Sequence, residues 1–246
     1  TRGIVTGKTV QNFFSSTKVI ALFGFILVGF FATRGISSFE INREVFWQAG
    51  QVGPGNQIVP LAGFALIAAI ATALVGSLFA SDAWYDVTFI SGEVINPKRN
   101  VPLSLVLGTA LVSVIYLLTN LVYIMILPLS GSPDGADMLS RGIQFATDDR
   151  VATSAMSVVF GDYAALIMAV FIMISTFGCD HGLILAGPRV YYAMARDGLF
   201  FRKVGEINKK GVPGFAIAVQ GIWSVLLCLT GTYSDLLDYV IFAVLL

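Results

Sequence analysis

The chain has 246 residues, a formal net charge of zero, 56% apolar residues and only 12% charged residues. A soluble globular domain carries about 25% charged residues, so there are too few charges here to cover a water-soluble core, and the zero net charge implies no nucleic-acid partner. Cys179 and Cys228 lie in apolar stretches and His181 is the single histidine, which points away from a disulfide or a metal set.

Several apolar runs are long enough to cross a bilayer, which takes roughly 20 residues. The first expected span is 13–33, apolar apart from Ser15, Ser16, Thr17 and Lys18. A polar stretch from Arg34 to Gln57 follows, with Gly50, Gly53, Pro54 and Gly55 marking loop. The second span, 58–80, meets a polar interruption at Ser81-Asp82-Ala83-Trp84-Tyr85-Asp86 and resumes over 83–95. Pro97 and Pro102 then flank a charged turn that ends one helix and starts the next. The third span is 103–127, and a polar loop runs from Ser130 to Arg150. Residues 151–160 form an amphipathic stretch expected on the membrane surface. The fourth span, 163–194, contains Pro188 as a kink position, the fifth is 214–230, and the sixth starts at 236. The chain begins without methionine and ends inside the apolar run 239–246, so it is expected to be an excerpt of a longer protein.

Short cytoplasmic loops retain Lys and Arg. Assigning alternate loops to alternate sides puts Arg2, Lys8, Lys98, Arg99, Arg189, Arg196, Arg202, Lys203, Lys209 and Lys210 on one side, against Arg34, Arg43, Arg141 and Arg150 on the other. The richer side, with the loops at 96–102 and 196–213, is therefore expected to be cytoplasmic.

A charge inside a span costs about 2.5–3.5 kcal/mol on insertion scales, which singles out Lys18, Asp82, Asp86 and Asp180. A break in mid-helix frees backbone groups that are tolerated only against protein or water. A second half-helix starting near Ala83, with Ser81 or Asp82 as N-cap, would present free N–H groups to a carboxylate. Asp82 either caps that helix or helps bind substrate, and the two roles can coexist. Asp82 and Asp86 at four-residue spacing would share a helix face and repel, so that one is protonated or a cation lies between them; otherwise Asp86 faces a wet vestibule. Lys18 either snorkels to the interface or stands as a fixed cation between helices. Asp180-His181 is either a hydrogen-bonded packing pair or a proton relay.

Three segments resemble a known family. Phe79-Ala-Ser-Asp-Ala-Trp-Tyr85 and Glu93-Val-Ile-Asn-Pro-Lys-Arg-Asn-Val-Pro102 are similar to the sixth helix and following loop of amino-acid permeases of the APC superfamily. Arg189-Val-Tyr-Tyr-Ala-Met-Ala-Arg-Asp-Gly198 is similar to the end of their eighth helix. The nearest branch is that of the L-type amino-acid transporters. The resemblance implies an all-α transmembrane protein, part of a LeuT-type 5+5 inverted-repeat fold with a broken helix six. It covers helices five to ten, with helices one to four of the same protein absent. It implies secondary transport of amino acids by alternating access, without enzymatic activity or cofactor, in the plasma (cell inner) membrane. Phe79 would gate the substrate. Ala80, Ser81 and Asp82 would form the unwound segment that takes its amino group, with Trp84 in the same site. Lys18 would replace sodium, with its helix-eight contacts near Ser175 and Cys179. That leaves proton coupling, for which Asp86 and Asp180 are candidates, or exchange. Two positions depart from the family pattern: Asp82 stands where glycine is frequent, and Cys179 where a hydroxyl residue is usual. Alternatives outside transport are an intramembrane aspartyl protease built on Asp86 and Asp180, and a non-transporting receptor on a permease fold.

Overall fold

The computed structural model describes residues 4–33, 35, 37–53, 58–209, 211–232, 235–236 and 239–240. Most of the expected sixth span, together with Arg2, Arg34, Lys210 and the Pro54–Gly55 loop, lies outside them. The order of elements is α1 (Ile4–Ala32), α2 (Phe39–Val45), β1 (Gly50–Val52), β2 (Ile58–Pro60), α3 (Gly63–Ala80), a 3₁₀ helix over Asp86–Glu93, α4 (Pro97–Ile126), α5 (Met138–Arg141), α6 (Val151–Phe160), α7 (Ala164–Arg196) and α8 (Gly214–Cys228). The fold is all-α apart from the antiparallel β1–β2 ribbon, in which Gln51 pairs with Val59. Among the described residues, three helical stretches are long and apolar enough to cross a membrane: Thr6–Ala32, Pro97–Ile126 and Val151–Arg196. Shorter apolar helices occupy Gly63–Leu78 and Gly214–Cys228.

Several boundaries differ from the sequence-based expectation. Helix α1 already includes Ile4–Asn12, ahead of position 13, and that stretch contains no proline to stop it. Residues 58–60 form a strand, and α3 starts only at Gly63, whose φ of +58° a glycine adopts without steric cost. The turn 97–102 is the start of α4. Pro97 sits at its first position, where a missing N–H costs nothing, and Pro102 is accommodated inside the helix. Helix α7 runs unbroken through Asp180, His181 and Pro188. Within the polar stretch 34–57, Phe39–Val45 is helical.

The chain divides into two compact units, and α1 and α7 contribute to both. One unit comprises Ser15–Tyr85 and Pro102–Thr176. Its core gathers Phe25 and Ile26 of α1, Ile115, Val122 and Ile126 of α4, and Ala155 and Met156 of α6. Helix α6 thus packs a face into this core, although the sequence alone placed 151–160 on the membrane surface. Gly29 permits the approach of α1 to α4, since a Cβ there would lie 2.3 Å from Val122 Cγ1.

The end of α4 shows why a helix forms at 39–45. The last carbonyls of a helix lack intrahelical donors. Here Ser38 N–H donates to Met125 O (2.8 Å) and Ser38 Oγ to Ile126 O (3.0 Å). The buried Asn42 amide donates to Ile124 O (2.5 Å) and Leu127 O (2.8 Å), and its Oδ1 accepts from Leu129 N–H (2.7 Å). Asn42→Ala should therefore lower the stability of the purified full-length protein by about 2 kcal/mol, because buried polar groups are orphaned. A thermal-unfolding comparison with wild type checks this. In the loop that follows, Asp137 and Ser140 form a capping box, and the Ser140 hydroxyl holds the Asp137 carboxyl below its usual range.

The other unit comprises Thr1–Phe14, Asp86–Val101 and Phe177–Leu246. Its small core is Ala195, Val204 and Ala216, with Tyr191 and Phe200 stacked beside it at 5.9 Å between ring centroids.

Candidate substrate and ion sites

The interruption after α3 is real but differs from the helix–break–helix expected. Ala83 takes φ +64°, a left-handed value that no right-handed helix contains, and Ser81–Tyr85 are in turn conformation. The second half starts at Asp86 rather than near Ala83, and it is 3₁₀ rather than α. Ser81 does not cap it. The Ser81 N–H returns to Ser77 O and Leu78 O (3.1 and 3.2 Å), and its hydroxyl donates to Leu78 O (2.9 Å), closing α3 behind it. Asp82 and Asp86 are consequently not related by one turn of helix. The backbone of the last turn of α3 points carbonyls toward the break, the negative end of the helix dipole. The Ala80 carbonyl accepts from the Tyr116 hydroxyl of α4 at 3.1 Å. Asp82 and Trp84 are exposed, and Trp84 meets the ring of Tyr85 edge-on at 5.8 Å. Phe79 lies in the last turn of α3; its side chain is outside the described atoms.

Lys18 and Ser175 line one cavity of about 270 Å³. Its other walls include Thr17, Leu22 and Phe25 of α1, Tyr123 of α4, Ala152 of α6, and Met168 and Phe171 of α7. The lining is mostly apolar, with the Lys18 amine and the three hydroxyls of Thr17, Tyr123 and Ser175 among α1, α4 and α7 side chains. Thus Lys18 and Ser175 come together within one unit. Asp86, Cys179 and Asp180 belong to the other unit. Cys179 and Asp180 are exposed on α7, and Asp86 is half-buried at the start of the 3₁₀ helix. His181 Nδ1 lies 2.9 Å from Gln11 Oε1. The amide oxygen accepts from Nδ1 in the tautomer that carries its proton there.

Two arrangements went unread in the sequence. Tyr116 was one more aromatic in an apolar span; its only signal was a polar tip on a residue that seeks a partner when enclosed. Glu93 and Arg189 stand in separate motifs, yet Arg189 Nε donates to Glu93 Oε1 (2.7 Å) and Nη2 to Oε2 (3.0 Å). Arg189 Nη1 also donates to Leu185 O. This two-pronged pair borders a cleft of about 460 Å³ lined also by Lys8, Gln11, Asn12 and Asn100.

The family profile described as amino acid permease matches residues 1–246, the whole chain. The chain belongs to the amino acid permease family. Among curated relatives, the chain is similar to the b(0,+)-type amino acid transporter 1 of Oryctolagus cuniculus, at 28% identity over 244 residues, covering 96% of this chain and 43% of the relative. It is similar to the large neutral amino acids transporter small subunit 2 of Homo sapiens at 25% identity, covering 94% of this chain and 38% of the relative. It is also similar to the serine/threonine exchanger SteT of Bacillus subtilis at 27% identity, covering 70% of this chain and 37% of the relative. The chain therefore spans less than half the length of these relatives. As a permease-family chain with membrane-length apolar helices, it is part of an integral membrane protein, and the family implies the all-α LeuT-type fold.

Proposed function

We propose that this permease chain is about half of a secondary transporter that carries amino acids by alternating access. The observation that carries the reading is the permease match over the whole chain, on a structure whose α3 ends at an open break. Interrupted helices with unwound carbonyls are how many secondary transporters bind substrate and coupling ions. In this reading Phe79, Ala80, Ser81, Asp82 and Trp84 face the substrate, with the carbonyl end of α3 taking its ammonium group. The negative end of α3 and the Asp82 carboxylate favour a positive group there. The other half of the site comes from helices one to four of the same protein.

Lys18, beside Ser175, supplies the fixed charge that makes the carrier independent of sodium. Cys179 stays a candidate for ion coupling, and Asp86 and Asp180 are the candidates for a proton route if a proton is the coupling ion. The amino-acid transporter and exchanger names of the relatives support an amino-acid substrate. The charge asymmetry supports an orientation with the segments at 96–102 and 196–213 in the cytoplasm, and the plasma membrane is the location this reading assigns. The intramembrane aspartyl protease alternative loses its ground, as the family is one of permeases. A non-transporting receptor is the remaining alternative.

The test is uptake of a panel of labelled amino acids by the full-length protein in proteoliposomes, with and without sodium, a pH gradient and internal amino acid. Saturable uptake of one amino-acid class, independent of sodium, is expected. Gradient dependence assigns proton coupling, and dependence on internal amino acid assigns exchange. Folded protein that moves none of the panel under any condition defeats the reading in favour of a receptor.

A further inference from the structure

The end of α4 sets the depth of whatever is seated on it. Its 30 residues make a rod about 45 Å long, which matches a bilayer with its headgroup layers, about 40–45 Å thick. The last turn of α4 therefore reaches the boundary between hydrocarbon and water. Helix α1 ends close to it: Gly29 backs onto Val122, and Ala32 and Ile126 each lie about one turn beyond that contact. Ser38 and Asn42 tie α2 to the carbonyls of this end of α4. All of these residues belong to one unit.

The side chains of α2 are sorted for such a level. The buried Asn42 marks the edge seated on α4. Glu40, Arg43 and Glu44 are exposed and gather on the opposite edge of the helix. Phe39 and Phe46 are seven residues apart, about two turns, and share the flank between these edges. Phe46 still has helical backbone angles, so it belongs to the same pattern. Ile41 lies on the other flank, and all three are exposed. Trp47 follows, 89% exposed, with its ring edge-on to Phe46 at 5.2 Å between centroids. Facing water alone, these rings would make an uncovered apolar patch on a charged helix. At the membrane boundary the same layout is favourable: the seated edge points to the bilayer, the charged edge to water, and the aromatic flank lies in the plane between. Tryptophan is enriched at that depth, because its ring is apolar and its N–H needs a polar partner.

We propose that α2 and Trp47 form an interfacial anchor, in which Phe39, Phe46 and Trp47 embed in the headgroup and glycerol layer of the membrane lipids. The partner is the lipid surface, and the anchor holds the end of α4 at that depth. The inference does not depend on the transport reading, since it needs only that α4 crosses the membrane.

The experiment uses the full-length protein in phosphatidylcholine vesicles. Trp47 emission is read as the difference between wild type and Trp47→Phe, a substitution at an exposed position that leaves the fold in place. Lipids brominated high on the acyl chain should cut this emission by about half, and lipids brominated at mid-chain distinctly less, as for a ring about 5–10 Å into the boundary. Iodide in the water should quench it no more than about one third as well as it quenches free N-acetyltryptophanamide. Phe39→Trp on the Trp47→Phe background should report the same depth. Free quenching by iodide with indifference to brominated lipid would place Trp47 in water and overturn the proposal. Protection from both quenchers overturns it as well, because another part of the protein or a partner chain then covers the flank. Stronger quenching at mid-chain also defeats it, as the ring would lie in the hydrocarbon.

Discussion

Lys18→Ala in the full-length protein should reduce sodium-independent uptake about tenfold or more, or leave uptake that has acquired a new dependence on sodium or pH. The expectation follows from where the ammonium sits. Lys18 is half-buried in α1 and lines a cavity whose walls are mostly Leu22, Phe25, Met168, Phe171 and other apolar groups. A charge in the interior of a membrane helix costs about 2.5–3.5 kcal/mol, so an arrangement that keeps it there has to recover that energy. Ser175 offers a hydroxyl on the α7 side of the same cavity. Removing the ammonium leaves that cavity without its fixed charge, and a soluble cation becomes the only replacement. Lys18→Met separates charge from bulk, since it keeps the stem and should lose transport equally. Lys18→Arg keeps the charge but not the compact ammonium and should retain part of the activity. Uptake and pH dependence identical to wild type in both Lys18→Ala and Lys18→Met would sink the role and leave a lysine that merely reaches the interface.

Arg189→Ala should lower the stability of the detergent-purified full-length protein by about 3 kcal/mol, more than Asn42→Ala does. The Arg189 side chain is 14% exposed and pairs with both carboxylate oxygens of Glu93, which is 41% exposed. Breaking a fully buried pair costs about 3–5 kcal/mol because a charge is left behind. The partial exposure of Glu93 brings the figure to the lower end, since water can take over the freed carboxylate. Glu93→Ala should cost at least as much, because it strands the less exposed partner. The exchanged pair Glu93→Arg with Arg189→Glu should recover part of the loss in a double-mutant comparison. Additive losses, with no recovery in the exchanged protein, would mean that the two side chains act independently of each other.

The membrane class was legible because it rests on length and hydropathy, which no tertiary detail overrides. The break after α3 was legible for a similar reason: Ser81, Asp82 and Asp86 have no place inside an apolar span unless the backbone there does something other than continue. What the break becomes was not legible. Periodicity cannot distinguish a second α-helix from a 3₁₀ segment over eight residues, and a left-handed alanine carries no signal of its own. The helix at Phe39–Val45 was hidden in a polar stretch because its anchor, Asn42, acts on carbonyls more than 80 residues later. The partnership of Glu93 with Arg189, 96 residues apart, is of the same kind. Each residue stood in a segment already marked as informative, but only the fold decides which charge faces which. Among the candidate site residues, Lys18 and Ser175 share a cavity. Asp82 lost its presumed helical relation to Asp86 once the intervening backbone turned.

The 3₁₀ form of Asp86–Glu93 also has a mechanical side. A 3₁₀ helix rises about 2.0 Å per residue and an α-helix about 1.5 Å. Over the eight residues of this segment, the difference is about 4 Å of length. Winding the segment into α form would draw its far end that distance toward the break. The far end is Glu93, which grips Arg189 of α7 by two hydrogen bonds, so a change of pitch in this segment would be delivered as a pull on a 33-residue helix.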